Sequence, residues 1–176
     1  MTLPSDAELI EAWRGGDEMA AAELVRRHAP AVARYLSAAG ALDDVEDLVQ
    51  ETFFRAFRKV AGFRGGASFR TWVIAIGANA LKDAHRRQKR RPTVSLEIDD
   101  IPDERRDPHA DLVGRDLEAL LEQCVTRLPR MQRDVFLLRA QQGMEYEDIA
   151  GALRTSVGAA RVHYHHALKR LKQWLE

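Results

Sequence analysis

Between Phe63 and Arg91 the chain reads FRGGASFRTWVIAIGANALKDAHRRQKRR, a segment that combines aromatic rings, paired glycines, an asparagine and a dense cationic end. Positive charge holds phosphate, and aromatic faces stack unpaired bases. Gly65 and Gly66 allow a tight loop, and Asn79 carries both a donor and an acceptor for a base edge. Arg86, Arg87, Lys89, Arg90 and Arg91 would give affinity for a phosphate backbone without sequence information. That chemistry suits DNA whose strands are being separated. A solvated basic helix end with Phe69 and Trp72 in the core uses the same residues, so the rest of the chain must decide.

The bulk numbers conceal this pattern. The 176 residues have a formal net charge of 0, yet the charge is segregated along the chain. Met1–Phe54 carries 4 basic and 11 acidic residues, and Arg55–Arg91 carries 11 basic and 1 acidic. Pro92–Thr126 has 3 and 10, and Arg127–Glu176 has 9 and 5. With a Debye length of about 8 Å in physiological salt, each block acts locally, so the two basic blocks can meet DNA while the acidic ones face something else. The single cysteine, Cys124, excludes an internal disulfide and a cysteine-based zinc cluster, and its helical context suits a buried thiol. No run approaches a membrane span, and MTLPSDAELIEAW lacks a basic start followed by an apolar core. A cytoplasmic protein is expected.

The elements that must position these residues read as helices throughout. Ser5 with Glu8 predicts a capping box opening a short helix through Trp13, ended by Gly15–Gly16. A second helix runs from Asp17 to Ala39 with Pro30 inside it and Ala22, Leu24, Val25, Ala29, Val32 and Leu36 inward. Asp43 and Glu46 offer another capping pair before a third helix, about Asp44–Ala61, that buries Val45, Leu48, Val49, Phe53, Ala56, Phe57 and Val60. A fourth extends from Ser68 to near Arg90, with Trp72 and Ile76 in the core. Pro92–Leu112 is acidic and proline-rich, a flexible linker. Helices at Val113–Leu128, Pro129–Gln142, Tyr146–Leu153 and Ser156–Leu175 follow. The expected fold is all-α: two small helical domains, 1–91 and 113–176, joined by an acidic linker over 92–112.

The last two helices read as a helix-turn-helix. Tyr146, Ile149, Ala150 and Leu153 turn inward, Arg154–Thr155 makes the turn and Ser156 suits an N-cap. In the final helix Val157, Ala160, Tyr164, Leu168, Leu171 and Leu175 fall on the core side. The opposite stripe is Gly158, Arg161, Val162, His165 and Lys169, where Arg161 could read guanine and amides near Ser156 could meet phosphate. His163 and His166 lie one turn apart, but no nearby cysteine or acid completes a tetrahedral metal set. No metal or other cofactor is expected.

Together the two halves resemble the extracytoplasmic-function (ECF) sigma factors of bacterial RNA polymerase. DVEDLVQETFFRAFR (Asp44–Arg58) is similar to the family's polymerase-binding helix, FRGGASFRTWVIAIGAN (Phe63–Asn79) to its −10 element reader, and LPRMQRDVFLLRAQQGMEYEDIAGALRTSVGAARVHYHHALKRL to its −35 reader. The resemblance implies that Asp47, Gln50, Glu51, Phe54 and Arg58 meet the clamp coiled coil of core RNA polymerase, although Phe54 also fits the core where helix faces overlap. It implies that Phe63, Arg64, Ser68, Phe69 and Asn79, with the Arg86–Arg91 cluster, engage the −10 element of promoter DNA. Ser156, Gly158, Arg161, Val162, His165, His166 and Lys169 would engage the −35 element. It also implies an anti-sigma factor as regulatory partner and no membrane insertion. The linker would thread the channel later occupied by RNA, a path its charge fits as well as it fits a plain tether.

Two other function classes compete. A stand-alone helix-turn-helix regulator with an N-terminal sensing or dimerisation domain would not need the basic, aromatic segment in the first half. An enzyme finds no support: there is no phosphate-cradling loop with its lysine, no serine elbow and no metal spacing. The chain departs from the family at Ala75 and Ala78, and at His163 and His166, where the family commonly has basic residues. Protonated histidines there would face phosphate, so promoter affinity is expected to rise as pH falls through the histidine range. Affinity for promoter duplex at mildly acidic and mildly alkaline pH, with His163→Ala and His166→Ala, tests this; an unchanged pH slope refutes it.

Overall fold

The computed structural model of the chain describes residues 3–41, 45–90 and 115–175, with side chains from 45 to 88 and from 119 onward in the latter two spans. Among these residues every regular element is helical. The pairing of Asp43 with Glu46, the linker 92–112, the side chains of Lys89 and Arg90, and Arg91 lie outside the described residues. The chain divides into two compact units, Met1–Ser37 with Ala41–Arg86, and Arg87–Glu176 with Ala38–Gly40.

The first unit begins with α1 (Asp6–Arg14), which opens as expected. The Glu8 amide donates to Ser5 Oγ at 3.3 Å, and the Ser5 amide returns a bond to Glu8 Oε2 at 2.7 Å. Helix α2 (Glu18–Ala38) runs through Pro30 and buries Leu24, Val32, Tyr35 and Leu36. Of the expected inward residues Ala22 is exposed, while Ala20, Ala21 and Ala31 are buried. Glu23 accepts from Arg26 and Arg27, and these bonds hold its carboxyl down to about 2. Helix α3 (Val45–Lys59) gives way to a 3-10 turn at Val60–Gly62, and α4 (Phe69–Arg90) follows an open loop.

Helices α3 and α4 approach closely because Gly77 has no side chain. A Cβ there would lie 3.3 Å from Thr52 Oγ1 and 3.6 Å from a Val32 methyl. Thr52 is fully buried, which a hydroxyl tolerates only when bonded; it donates to the Leu48 carbonyl at 2.6 Å. The sequence pattern did not mark Thr52 as core, because threonine on a helix is ordinarily a surface residue.

The second unit packs α5 (Arg115–Thr126), α6 (Arg130–Phe136), α7 (Tyr146–Leu153) and α8 (Val157–Leu175). The single long helix expected over Pro129–Gln142 is instead α6 followed by a π turn at Leu137–Gln141, which Gly143 ends at φ 67°. Val135, Leu137, Leu138 and Ile149 are fully buried, and Cys124 is buried as well. On α8 the core stripe is Ala160, Ala167 and Leu171, with Tyr164 half-buried. Leu168 and Leu175, expected inward, are 44% and 37% exposed. Each residue advances about 100° around a helix, so once Ala167 faces inward Leu168 is carried off the buried stripe.

Gly77→Val would drive methyl groups into Thr52 and Val32, at a cost of about 2 kcal/mol by over-packing. In a Trp174→Phe background, where Trp13 and Trp72 report the first unit, its urea unfolding midpoint should fall accordingly. An unchanged midpoint would mean that this contact does not limit the helix spacing.

Candidate nucleic-acid and polymerase interfaces

The loop between α3 and α4 is held at both ends. Phe63, Phe69 and Trp72 form an aromatic cluster with ring centroids 5.0 to 5.9 Å apart. The His28 ring of α2 meets Phe69 edge-on at 5.3 Å, and its Nε2 lies 2.8 Å from Asp6 Oδ2. At the far end Ser68 caps α4: the Thr71 amide donates to Ser68 Oγ at 3.0 Å. Between them Gly65 takes φ 73°, a left-handed conformation that glycine adopts without strain. No heavy atom would lie within 4 Å of a Cβ at Gly65 or Gly66, so the loop is open on that side.

This geometry sorts the residues assigned to the −10 element. Arg64 and Ser68 are exposed and Phe63 is half-buried. Phe69 is 2% exposed, so its ring is a core group and offers no face to a base. The correction has a simple cause: Phe69 is the first residue of α4, and its side chain is the one on which His28, Phe63 and Trp72 close. Trp72 and Ile76, expected in the core, are half-buried. Asn79 is half-buried, and its Nδ2 donates to the Ala75 carbonyl of its own helix at 2.9 Å. It lies ten residues beyond Phe69, roughly 15 Å along the axis, so it does not share a pocket with the loop. Instead Asn79 and the exposed Arg86 and Arg87 fall seven and eight residues apart on one face, a track along α4. Ala78 is 5% exposed and cannot present a phosphate contact.

On α3 the two faces separate cleanly. Leu48, Thr52, Phe53 and Ala56 are buried, while Asp47, Gln50 and Arg58 are exposed. Phe54 is 59% exposed, which excludes a core role in this fold. The Arg58 guanidinium lies 5.5 Å from its ring centroid, a cation–π contact that covers only part of the ring. Glu51 is half-buried and accepts from Arg55 at 2.7 Å, and Arg55 also donates to Asp83 of α4 at 2.8 Å. The bonds to Asp83 and then Glu51 raise the Arg55 guanidinium above its ordinary value. This residue was missed in the sequence, since a bond reaching 28 residues along the chain leaves no local periodicity to detect.

The helix-turn-helix has the expected turn. Arg154 adopts φ 54°, ψ 52°, and the Thr155 amide donates to the Ala150 carbonyl at 3.0 Å. Ser156 then caps α8, accepting from the Ala159 amide at 3.1 Å. Gly158, Arg161, Val162, His165, His166 and Lys169 are all exposed. His163 is half-buried with an enclosed, unpartnered Nδ1, so it is less accessible than the exposed His165 and His166. Tyr146 does more than fill the core: Arg161 and Arg139 lie 5.3 and 5.0 Å from its ring centroid. Arg139 also donates to the Met144 carbonyl at 2.7 Å, and its pairing with Glu145 raises its guanidinium above the usual value. The Tyr146 ring thus restrains the exposed Arg161. Among the described residues no group of three His, Cys, Asp or Glu side chains could hold a metal ion, and no helix is long and apolar enough to cross a membrane.

Comparison with known proteins agrees with both halves. Residues 24–91 match the family model of Sigma-70 region 2, and residues 118–171 match that of Sigma-70 region 4. The ECF RNA polymerase sigma-E factor of Haemophilus influenzae is 30% identical over 181 residues, covering 98% of this chain and 96% of that protein. The sigma-E factor of Escherichia coli K12 is 32% identical over 167 residues, covering 89% and 87%. Among solved structures, CnrH in complex with the cytosolic domain of CnrY superposes with a TM-score of 0.67 at 28% identity, covering 97% of this chain and 96% of that one. The sigma factor RpoE of Bartonella quintana, in complex with the anti-sigma factor NepR, shares the fold with a TM-score of 0.66 at 23% identity, covering 87% and 94%. With a region 2 match over the basic, aromatic half, a region 4 match over the helix-turn-helix, and relatives of the same length and order, the chain belongs to the ECF sigma factors.

Proposed function

We propose that this sigma factor works as a dissociable, non-catalytic initiation subunit whose first unit docks on the core polymerase clamp and reads the −10 element, while its second unit reads the −35 element. The observation that carries the reading is a pair of exposed surfaces, one on α3 and one running from the α3–α4 loop along α4. Phe54 stands exposed among Asp47, Gln50 and Arg58 on α3, and the open Arg64–Ser68 loop leads into the Asn79–Arg86–Arg87 track of α4. An exposed aromatic ringed by charge suits a protein partner. A loop, an amide and two arginines in line suit a single strand whose bases leave the stack while its phosphates are held.

The division of labour follows the domains 1–91 and 113–176, with 92–112 as the tether between them. In the second unit Arg161, steadied by Tyr146, is the base reader, with Gly158 and Val162 allowing close approach to the groove floor. Ser156, His165, His166 and Lys169 supply backbone contacts. The solved relatives in complex with CnrY and with the anti-sigma factor NepR support an anti-sigma factor as the regulator of this chain too. A cytoplasmic location follows from work on polymerase and promoter DNA.

Run-off transcription with purified core polymerase and a library of random upstream sequences tests the reading. Transcripts are expected from a two-element motif with a fixed spacer. Binding of duplex DNA alone, without programming polymerase, would overturn it. Two variants separate the faces. Asn79→Ala should lower open-complex formation about tenfold, the scale of one lost base contact, while polymerase affinity is unchanged. Phe54→Ala with Gln50→Ala should weaken polymerase binding about tenfold or more with an unaltered melting temperature. Normal transcription by Asn79→Ala removes that residue from the base site, and unchanged polymerase affinity in the double variant removes the α3 face.

A further inference from the structure

One side chain from α1 reaches the origin of the base-reading loop. Arg14 Nη2 donates to the Val60 carbonyl at 2.9 Å and to the Phe63 carbonyl at 2.7 Å, 46 and 49 residues along the chain. Its Nη1 pairs with Glu11, one turn back on the same helix. The Val60 carbonyl also accepts from the Phe63 amide at 3.0 Å, closing the 3-10 turn that ends α3.

The physical problem at this point is a general one. The last carbonyls of a helix have no partner within it and carry the negative end of the helix dipole. A guanidinium answers both needs, since it is always charged and presents several donors in a rigid fork. Here the fork closes on the turn and on the first loop residue together. Beyond Phe63, no backbone–backbone hydrogen bond is made by Arg64–Ala67 among the described residues. The direction in which Arg64 and Gly65 leave the turn is therefore set by Phe63, whose ring is held by Phe69 and Trp72 and whose carbonyl is held by Arg14. The same arginine lines a cleft of about 530 Å³ between α1 and the loop, together with Glu11, Phe63, Arg64 and Gly65.

We propose that Arg14 is a positioning residue for −10 recognition: it fixes the Phe63 carbonyl and so sets how the Arg64–Ser68 loop is offered to an extruded base. This rests on the assignment of that loop to base reading. Helix α1, which contributes no residue to the reading itself, thereby acts on specificity through a backbone clamp.

The test uses the full chain and two independent readouts. Amide hydrogen exchange measured by NMR reports the clamp without polymerase. In Arg14→Gln the Phe63 amide should exchange about tenfold faster, the scale of one lost charge-assisted hydrogen bond, while amides in the middle of α2 are unaffected. Run-off transcription from a set of single-base −10 variants reports its consequence. Arg14→Gln should lose activity on the preferred −10 sequence about five- to tenfold and lose less on the variants, so that discrimination narrows. Polymerase affinity should stay within about twofold, Arg14→Lys should recover part of the discrimination, and Glu11→Gln, which removes only the surface pair, should be silent.

A merely structural arginine would lower transcription evenly across all −10 sequences together with polymerase affinity. That outcome, an unchanged Phe63 exchange rate, or a Glu11→Gln variant that behaves like Arg14→Gln would each overturn the proposal. Failure of the unaltered chain to program polymerase would instead overturn the base-reading role of the loop. An unaltered chain that transcribes normally beside an Arg14→Gln variant with full discrimination would overturn the Arg14 assignment alone.

Discussion

An open loop keeps a defined geometry only if the residues at its ends do not move, and the aromatic cluster of Phe63, Phe69 and Trp72 meets that requirement in the first unit. Rings packed at steep angles to one another resist rotation as well as separation, so they orient the chain as well as anchor it. Phe69 is the fixed point: buried, met by His28 of α2, and placed at the first turn of α4. From it the direction of α4 follows, and with that direction the line of Asn79, Arg86 and Arg87. The glycines can then be permissive, because freedom is confined to Arg64–Ala67 between a held turn and a capped helix start.

The same economy governs charge. A chain with no net charge nonetheless carries two basic blocks, because its acids are gathered in other stretches of the sequence. Arg55 is the clearest case. It lies in the basic block, but Glu51 and Asp83 engage its guanidinium, so it ties α3 to α4. Arg58 leans on Phe54, and Arg161 leans on Tyr146. An arginine resting on an aromatic face keeps its hydrogen-bond donors available while losing rotamer freedom, so less entropy remains to be lost when a partner arrives. Among the described residues Arg64, Arg86, Arg87 and Lys169 are exposed cations with no such aromatic contact, and they suit phosphate, which asks for charge more than for geometry.

Much of this was legible in the chain because it is local. Capping bonds act over three residues, and Ser5 and Ser156 each cap the helix they precede, as read from the chain. Periodicity and the Gly15–Gly16 and Gly65–Gly66 breaks placed the helices of the first unit to within a few residues. The exposed stripe of α8 also came through, since Gly158, Arg161, Val162, His165 and Lys169 recur at helical spacing. Where faces overlap, local signals ran out. Leu168 looked apolar enough for the core but stands half-exposed, Thr52 carried no core signal but is enclosed, and His163 was grouped with its exposed neighbours.

The sequence by itself determined the helical class, the order of the basic and acidic blocks, and the kind of chemistry at each, because composition and spacing within a few turns are enough for those. Only the tertiary structure decided which residues are free to act. It withdrew Phe69 from base contact by burying it, left Phe54 exposed, and parted Asn79 from the loop by about three turns of α4. It also brought Arg14 to carbonyls nearly fifty residues away and Arg55 to Asp83. A pairing between helices depends on how those helices pack, and no spacing along one of them encodes it.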